Sequence, residues 1–164
     1  MHITAKSDYA VRAVLSLARH EADLVRDGVD PAVDEPVVKI GVICEEQGLP
    51  RKFLEGILGD LRRAGIVRTR RGGNGGYGLA KPADQITLGA VLRAVDGPLA
   101  EVRGLRPHET SYSGAAEHLP QVWVAVRHAL RGVLDETSVA QVLTGTLPAP
   151  VAAMIADEGA WAPR

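Results

Sequence analysis

LPRKFLEGILGDLRRAGIVRTRRGGNGGYGLAK, residues 49–81, is the stretch whose reading decides the fold. Phe53, Leu54, Ile57, Leu58 and Leu61 recur at three- and four-residue steps, so they share one face of a helix. Arg51, Lys52, Glu55, Asp60, Arg62 and Arg63 fall on the other side and face outward. Pro50 suits a first helical turn, and Gly65 stands where a helix stop is expected, so the helix ends near Ala64. Ile66 and Val67 then favour extended chain, and a glycine-rich hairpin returns through a second short strand. Helix, strand, hairpin, strand is the order of a recognition helix followed by a wing.

Charge separates this stretch from an ordinary amphipathic helix. Between positions 51 and 71 there are seven basic residues (Arg51, Lys52, Arg62, Arg63, Arg68, Arg70, Arg71) against two acidic ones (Glu55, Asp60), while the whole chain has a formal net charge of −1. Positive charge is concentrated locally, as a polyanion-binding surface requires. A basic helix alone reads as a solvated face; the attached hairpin turns the reading toward nucleic acid.

The hairpin residues Gly73-Asn74-Gly75-Gly76-Tyr77-Gly78 also match the spacing G-x-G-x-x-G. A dinucleotide-binding turn must follow a buried strand and open a helix whose N-terminus takes the pyrophosphate. Here Arg68-Thr69-Arg70-Arg71 precede it and Leu79-Ala80-Lys81-Pro82 follow, so neither condition is met. The glycines at 72, 73, 75 and 76 are instead expected to supply the positive φ angles of a tight β-turn and a narrow tip.

Residues 37–48, with Val38, Ile40, Val42, Ile43 and Cys44 as apolar positions and Gln47-Gly48 as a stop, read as a short helix before the turn at Gly48-Leu49-Pro50. Two helices joined in this way form a helix-turn-helix, whose second helix enters a major groove. Residues 4–20 form a first helix capped by Thr4 or Ser7, with Tyr9, Ala10, Ala13, Val14, Leu17 and Ala18 as its buried stripe. The segment Asp23–Pro36 reads as an acidic surface loop pointing away from a polyanion. A length of 164 residues with 46% hydrophobic content bounds the chain to one packed domain, or one packed domain with an extension. No apolar run reaches the roughly 20 residues of a membrane span, and Met1–Lys6 lacks a signal-peptide core, so the cytoplasm is the expected location. The single cysteine, Cys44, excludes an intramolecular disulfide and reads as a small core residue, with a redox role as the minor alternative.

Taken together, Thr4-Ala5-Lys6-Ser7-Asp8-Tyr9-Ala10-Val11-Arg12, Glu46-Gln47-Gly48-Leu49, Phe53-Leu54-Glu55, Leu61–Val67, Arg70–Tyr77 and Ala94-Val95-Asp96-Gly97 resemble the IscR/NsrR/CymR family of bacterial regulators, also called the Rrf-two family. The resemblance runs in order from residue 1 to about 98 and continues more weakly through the long helix after 119. It implies a homodimeric winged-helix transcription factor, usually a repressor, on an inverted repeat in double-stranded promoter DNA. It also implies roles: Arg51, Lys52 and Glu55 on the base-reading face, with Glu55 able to accept from a cytosine amino group, and Arg71 entering the minor groove. Tyr9, Arg62, Arg63 and Arg70 match phosphate contacts, although a solvated charge serves equally for Arg63; Asn74 and Tyr77 complete the wing motif.

After the wing, a helix from Ile86-Thr87-Leu88 through Val91, Leu92 and Val95 stops at Gly97-Pro98, and residues 100–118 read as loop. In cluster-binding relatives this loop carries three cysteines that hold an iron–sulfur cluster; here it carries none. Asp8, His108, Glu109, Glu117 and His118 are the alternative ligand set, matched poorly to a cluster whose iron favours thiolates, so no metal or cofactor is expected. Residues 119–134 form a second long helix of about 24 Å. Its broad apolar stripe, Leu119, Val122, Trp123, Val126, Leu130 and Val133, asks for two neighbours, the helix-turn-helix body and, as the resemblance implies, the same helix of a second subunit in a dimer, with Trp123 as interface or core rather than a ligand-stacking residue. Thr137 or Ser138 caps a short helix through Val139, Val142 and Leu143, and the tail beyond Gly145 is expected to fray or to carry one further turn.

The fold expected is mainly α with a small β element: a winged helix-turn-helix domain over 1–84, a linking helix over 85–98, a loop over 99–118, a dimerisation helix and cap helix over 119–145, and a tail over 146–164. The function expected is a cluster-free, DNA-binding, homodimeric repressor with no membrane partner and an effector that the sequence leaves unnamed. The alternatives are a metal or iron–sulfur sensor with non-cysteine ligands, and an interaction module that has lost operator binding. An enzyme is not expected, since histidines 2, 20, 108, 118 and 128 form no convergent set.

Overall fold

The computed structural model describes residues 2–163; Met1 and Arg164, the outer limits of the segments read from sequence, lie outside the described residues. The elements are α1 (Ala5–Arg26), α2 (Pro31–Asp34), α3 (Ile40–Gln47), α4 (Arg51–Arg63), β1 (Val67–Arg70), β2 (Gly76–Leu79), α5 (Leu88–Asp96), α6 (Leu119–Leu134), α7 (Val139–Thr144) and α8 (Ala149–Ala156). The fold is mainly helical, with one two-stranded antiparallel sheet.

The core sits where α1 crosses the helix-turn-helix and α5. Ala10, Ala13, Val14 and Leu17 of α1 meet Ile43 of α3, Leu54, Ile57, Leu58 and Leu61 of α4, and Val91 and Val95 of α5. Small residues on α1 let it lie close to three neighbours at once. Thr4 caps α1 by accepting the Ser7 N–H at 3.0 Å. Ser7 lies inside the helix, where its hydroxyl donates to Asp96 at 2.7 Å, and Thr4 also donates to that carboxylate. A carboxylate at a helix N-terminus is favoured by the helix dipole. This clamp fixes the start of α1 to the end of α5.

Polar contacts join α1 to α3 as well. Ser16 donates to Glu46 at 2.8 Å, and Arg12 donates to the Gln47 carbonyl at the end of α3. Gly48 then adopts φ +62°, the left-handed conformation that turns the chain between α3 and α4.

Several expected boundaries move. The first helix runs to Arg26, not residue 20, so Asp23 is helical and pairs with Arg26 at 2.8 Å. The acidic loop contains the short helix α2, started by Pro31 and capped by Asp30. Val38 belongs not to the third helix but to an isolated antiparallel bridge with Tyr77, which places it beside β2 on the edge away from β1. Pro50 precedes α4 as its N-cap rather than occupying its first turn. The tail folds into the two-turn helix α8, with Val151 buried. The short helix α7, capped by Ser138, returns to the body, where the Val139 N–H donates to the Ile86 carbonyl at 2.8 Å and Val139 is fully buried.

Candidate nucleic-acid interface

The recognition helix buries one face completely. Leu54, Ile57, Leu58 and Leu61 are each exposed by 2% or less, which leaves Arg51, Lys52, Glu55, Arg62 and Arg63 exposed on the opposite side. Phe53 does not follow its neighbours: it is 67% exposed. At about 100° per residue it lies roughly 90° from the centre of the buried stripe, so a three- or four-residue step from Ile57 is not enough to bring it inside. Arg51 and Glu55, one turn apart, pair at 3.1 Å. The acid expected to read a base is therefore held by its own helix in the free protein.

The wing pairs Val67 with Leu79, Arg68 with Gly78, Thr69 with Tyr77 and Arg70 with Gly76. Of the four glycines expected to take positive φ, only Gly72 does so, at +101°. Gly76 and Gly78 are needed for a different reason: a Cβ on them would stand 2.5 Å from the Val38 carbonyl oxygen and 2.4 Å from that of Pro36. The segment Pro36–Val38 lies directly against the second strand, and only glycine leaves it room. Arg68 fastens the same contact, donating to the carbonyls of Leu79 at 2.9 Å, Glu35 at 3.1 Å and Pro36 at 3.1 Å. One of the seven basic residues thus builds the wing rather than facing a ligand.

Arg70 donates across the hairpin to the Asn74 carbonyl at 3.2 Å, while Arg71 and Asn74 stand exposed at the tip. Tyr77 is half-buried, packs on the core, and exchanges backbone hydrogen bonds with Val38 at 2.7 and 2.9 Å. Tyr9 is also half-buried, with the Arg12 guanidinium 5.9 Å from its ring centroid. Arg63 is engaged by Asp60, which also accepts Lys6 at 2.8 Å. Hydrogen bonding from Lys6, outweighing a small desolvation penalty and helped by the charge of Arg63, holds the Asp60 carboxyl below its ordinary range. Lys52 and Arg62 on α4 and Arg71 at the wing tip are exposed and, among the described residues, carry no such contact.

Comparison with known proteins accords with this geometry. The family model described as Rrf2, iron-dependent transcriptional regulator, matches residues 29–145. A Mycobacterium tuberculosis protein named as an HTH-type transcriptional regulator is 41% identical over 157 residues, covering 96% of this chain and 90% of its own. The chain belongs to the Rrf2 family of DNA-binding transcriptional regulators. The IscR regulator of Serratia proteamaculans is 32% identical over 143 residues, 87% of this chain and 79% of that one. Among solved structures, CymR, the global cysteine regulator of Bacillus subtilis, superposes with a TM-score of 0.66 at 26% identity, covering 88% of this chain and 97% of that one. The IscR of T. potens gives 0.65 at 29% identity, covering 89% and 88%. These relatives are named as regulators.

The description of the Rrf2 family as iron-dependent makes the loop between α5 and α6 a site to test. Its donors do not fit an iron–sulfur cluster. Cys44 is on α3, and the loop itself supplies no thiolate. Among the described residues, no three His, Cys, Asp or Glu side chains within the chain come together to hold a metal. His108 stands 4.0 Å from Glu109, but its other ring nitrogen is 3.4 Å from the Arg127 guanidinium, a cation that disfavours a second one. Asp8 pairs with Arg12 at 3.4 Å on α1.

The limits expected for α6 match the structure to the residue, yet little of the helix is covered. No residue of α6 is buried; Val122 and Val126 are 52% and 40% exposed, and Leu119, Trp123, Leu130 and Val133 are half-buried. An open groove of about 1070 Å³ separates α6 from the body, lined by apolar residues that include Ile3, Leu92, Trp123, Val126, Leu130 and Met154. The indole N–H of Trp123 is buried without an acceptor. Among the described residues, no helix is long and apolar enough to cross a membrane.

Proposed function

We propose that the protein is a homodimeric transcriptional repressor that binds a palindromic promoter site through α4 and the wing, and that it senses its signal without an iron–sulfur cluster. The observation that carries the reading is the pairing of a fully buried α4 stripe with exposed Arg51 and Lys52 on its free face and exposed Arg71 and Asn74 at the wing tip. Arg51, Lys52 and Glu55 read base edges in the major groove, and Arg71 reaches the minor groove. Arg62, Arg63, Arg70 and Tyr9 hold phosphates, with Asn74 and Tyr77 setting the wing. Phe53, exposed beside Lys52, adds an apolar surface suited to a thymine methyl group.

The uncovered stripe of α6 and the groove behind it support a dimer, because an apolar helix of this breadth needs a partner surface. A two-fold dimer would place two recognition helices in successive major grooves and so require a palindrome. The thiol-free loop supports the cluster-free reading.

Selection of bound duplexes from a random pool, followed by affinity measurements on the selected and a scrambled duplex across a salt series, tests the proposal. A palindromic consensus and a steep fall of affinity with salt are expected. Equal affinity for both duplexes would favour the interaction-module reading. Anaerobic reconstitution with iron and sulfide tests the signal: a brown protein with stoichiometric iron would overturn the cluster-free reading.

A further inference from the structure

Beside the apolar groove, with which it shares Gly97, Pro98 and Leu99, a cleft of about 360 Å³ lies where α5, the following loop and α6 meet. Its polar lining is unbalanced. Arg93 comes from α5, Arg106 from the loop, and Arg127 and Arg131 from α6, against one carboxylate, Asp135, so four guanidinium groups face one acid and leave a formal surplus of three positive charges. Asp135 is fully engaged, accepting Arg93 at 2.7 Å and Arg131 at 3.1 Å. Burial opposes its ionisation, but these two arginines outweigh burial and hold its carboxyl below the ordinary range. The carboxylate of Glu109 accepts the backbone N–H of Arg106 at 2.8 Å and leaves that residue's guanidinium unneutralised. Among the described residues, Arg127 has only the ring of His108, 3.4 Å away.

We propose that this cleft binds a compact dianion, a phosphate ester or a dicarboxylate, as the effector of the regulator. Guanidinium groups converging from three elements repel one another unless an anion lies between them, and their planar forks match carboxylate and phosphate oxygens two at a time. The volume is at the lower end for ligand sites and fits a small metabolite. No residue of α4 or the wing lines the cleft, so it is not part of the proposed DNA surface. Its position gives the ligand a consequence. Helix α6 meets the rest of the chain chiefly through the turn at Pro107–Glu109, so an anion joining Arg93 to Arg106 and Arg127 sets the angle of α6 against the body. In a dimer built on α6 that angle sets the spacing of the two recognition helices; this regulatory step rests on the DNA-binding reading, whereas ligand binding does not.

The test is calorimetry on the full chain at constant ionic strength, with inorganic pyrophosphate and succinate as probes. At least one should saturate one site per chain. Pyrophosphate alone would assign phosphate esters, and succinate alone dicarboxylates. The double variant Arg106→Ala/Arg127→Ala, which spares the Arg93–Asp135–Arg131 pairing, should keep its circular dichroism and bind about tenfold more weakly or worse. Arg71→Ala should bind the probe as the wild type does. Absence of saturation by either probe at about 1 mM, equal binding by the double variant, or loss of binding in Arg71→Ala would overturn the site. A bound probe that leaves operator affinity unchanged would overturn its role as effector. Failure of the ligand-free wild type to prefer any duplex would instead overturn the DNA-binding reading and leave the calorimetric result standing.

Discussion

Helices α4 and α6 carry similar apolar periodicity and meet different fates. In α4 the stripe Leu54, Ile57, Leu58 and Leu61 disappears beneath α1 and α5, and the charged side alone meets solvent. In α6 the stripe Val122, Trp123, Val126 and Leu130 has no cover that buries any of its residues. Periodicity specifies that a helix has an apolar face; it does not specify whether the covering surface belongs to the same chain. An amphipathic helix left open therefore marks a place where the chain is incomplete by itself.

Two substitutions set this contrast in numbers. Leu58→Ala removes a side chain with no exposure from the centre of the core, and unfolding in urea at fixed protein concentration should show a loss of about 2–5 kcal/mol. Val126→Asp should leave helical content intact yet shift sedimentation from dimer to monomer, weakening association by about tenfold or more, or roughly 1.4 kcal/mol and above. If Val126→Asp instead unfolds the chain, α6 is part of the core and the contrast fails.

The same distinction explains what sequence could and could not reveal. The core of α4, the limits of α6 and the stop at Gly97 were legible because burial and capping are local consequences of spacing and residue type. Phe53 was misplaced because the step rule gives membership of a face but not distance from its centre. The uses of Gly76, Gly78 and Arg68 are not legible, since they depend on the docking of Pro36–Val38, thirty or more residues away from all three. The arginine cleft is illegible for a related reason: Arg93, Arg106 and the α6 pair Arg127 and Arg131 are far apart in sequence and converge only in the fold. The outward side of α4 follows from spacing, but spacing does not show that Glu55 is held by Arg51, Arg63 by Asp60, or that Tyr77 lies against the core.

Cations that stand free and cations that are engaged should therefore differ in what they contribute to DNA binding. Arg71→Ala should weaken binding to the selected duplex by about 1–3 kcal/mol if it reads the groove. Arg63→Ala should cost less, and the loss should be equal on selected and scrambled duplexes, as for a phosphate contact. Glu55→Gln should narrow the gap between the two duplexes more than it lowers affinity for the scrambled one. A uniform loss would mean that Glu55 serves only to orient Arg51.

The smallest expected effect concerns the seam between α1 and α4. Lys6, on the first turn of α1, donates to Asp60 at 2.8 Å and to the Val95 carbonyl at 2.6 Å, so one ammonium joins α1, α4 and α5. The carboxyl of Asp60 is depressed in the folded chain, so between its folded and ordinary values the unfolded state binds more protons than the native state does. The stability it contributes is therefore complete above the ordinary carboxylate range and is lost as pH falls through that range to the depressed value. Because Lys6 is 45% exposed at its side chain, the pair behaves as a surface bridge, and Asp60→Asn should cost no more than about 1 kcal/mol at neutral pH. The variant should also flatten the decline of thermal stability on acidification. A decline of unchanged slope would assign acid sensitivity to Asp135, whose carboxyl is likewise depressed, and would move the electrostatic weight of the fold from the recognition helix to the junction with α6.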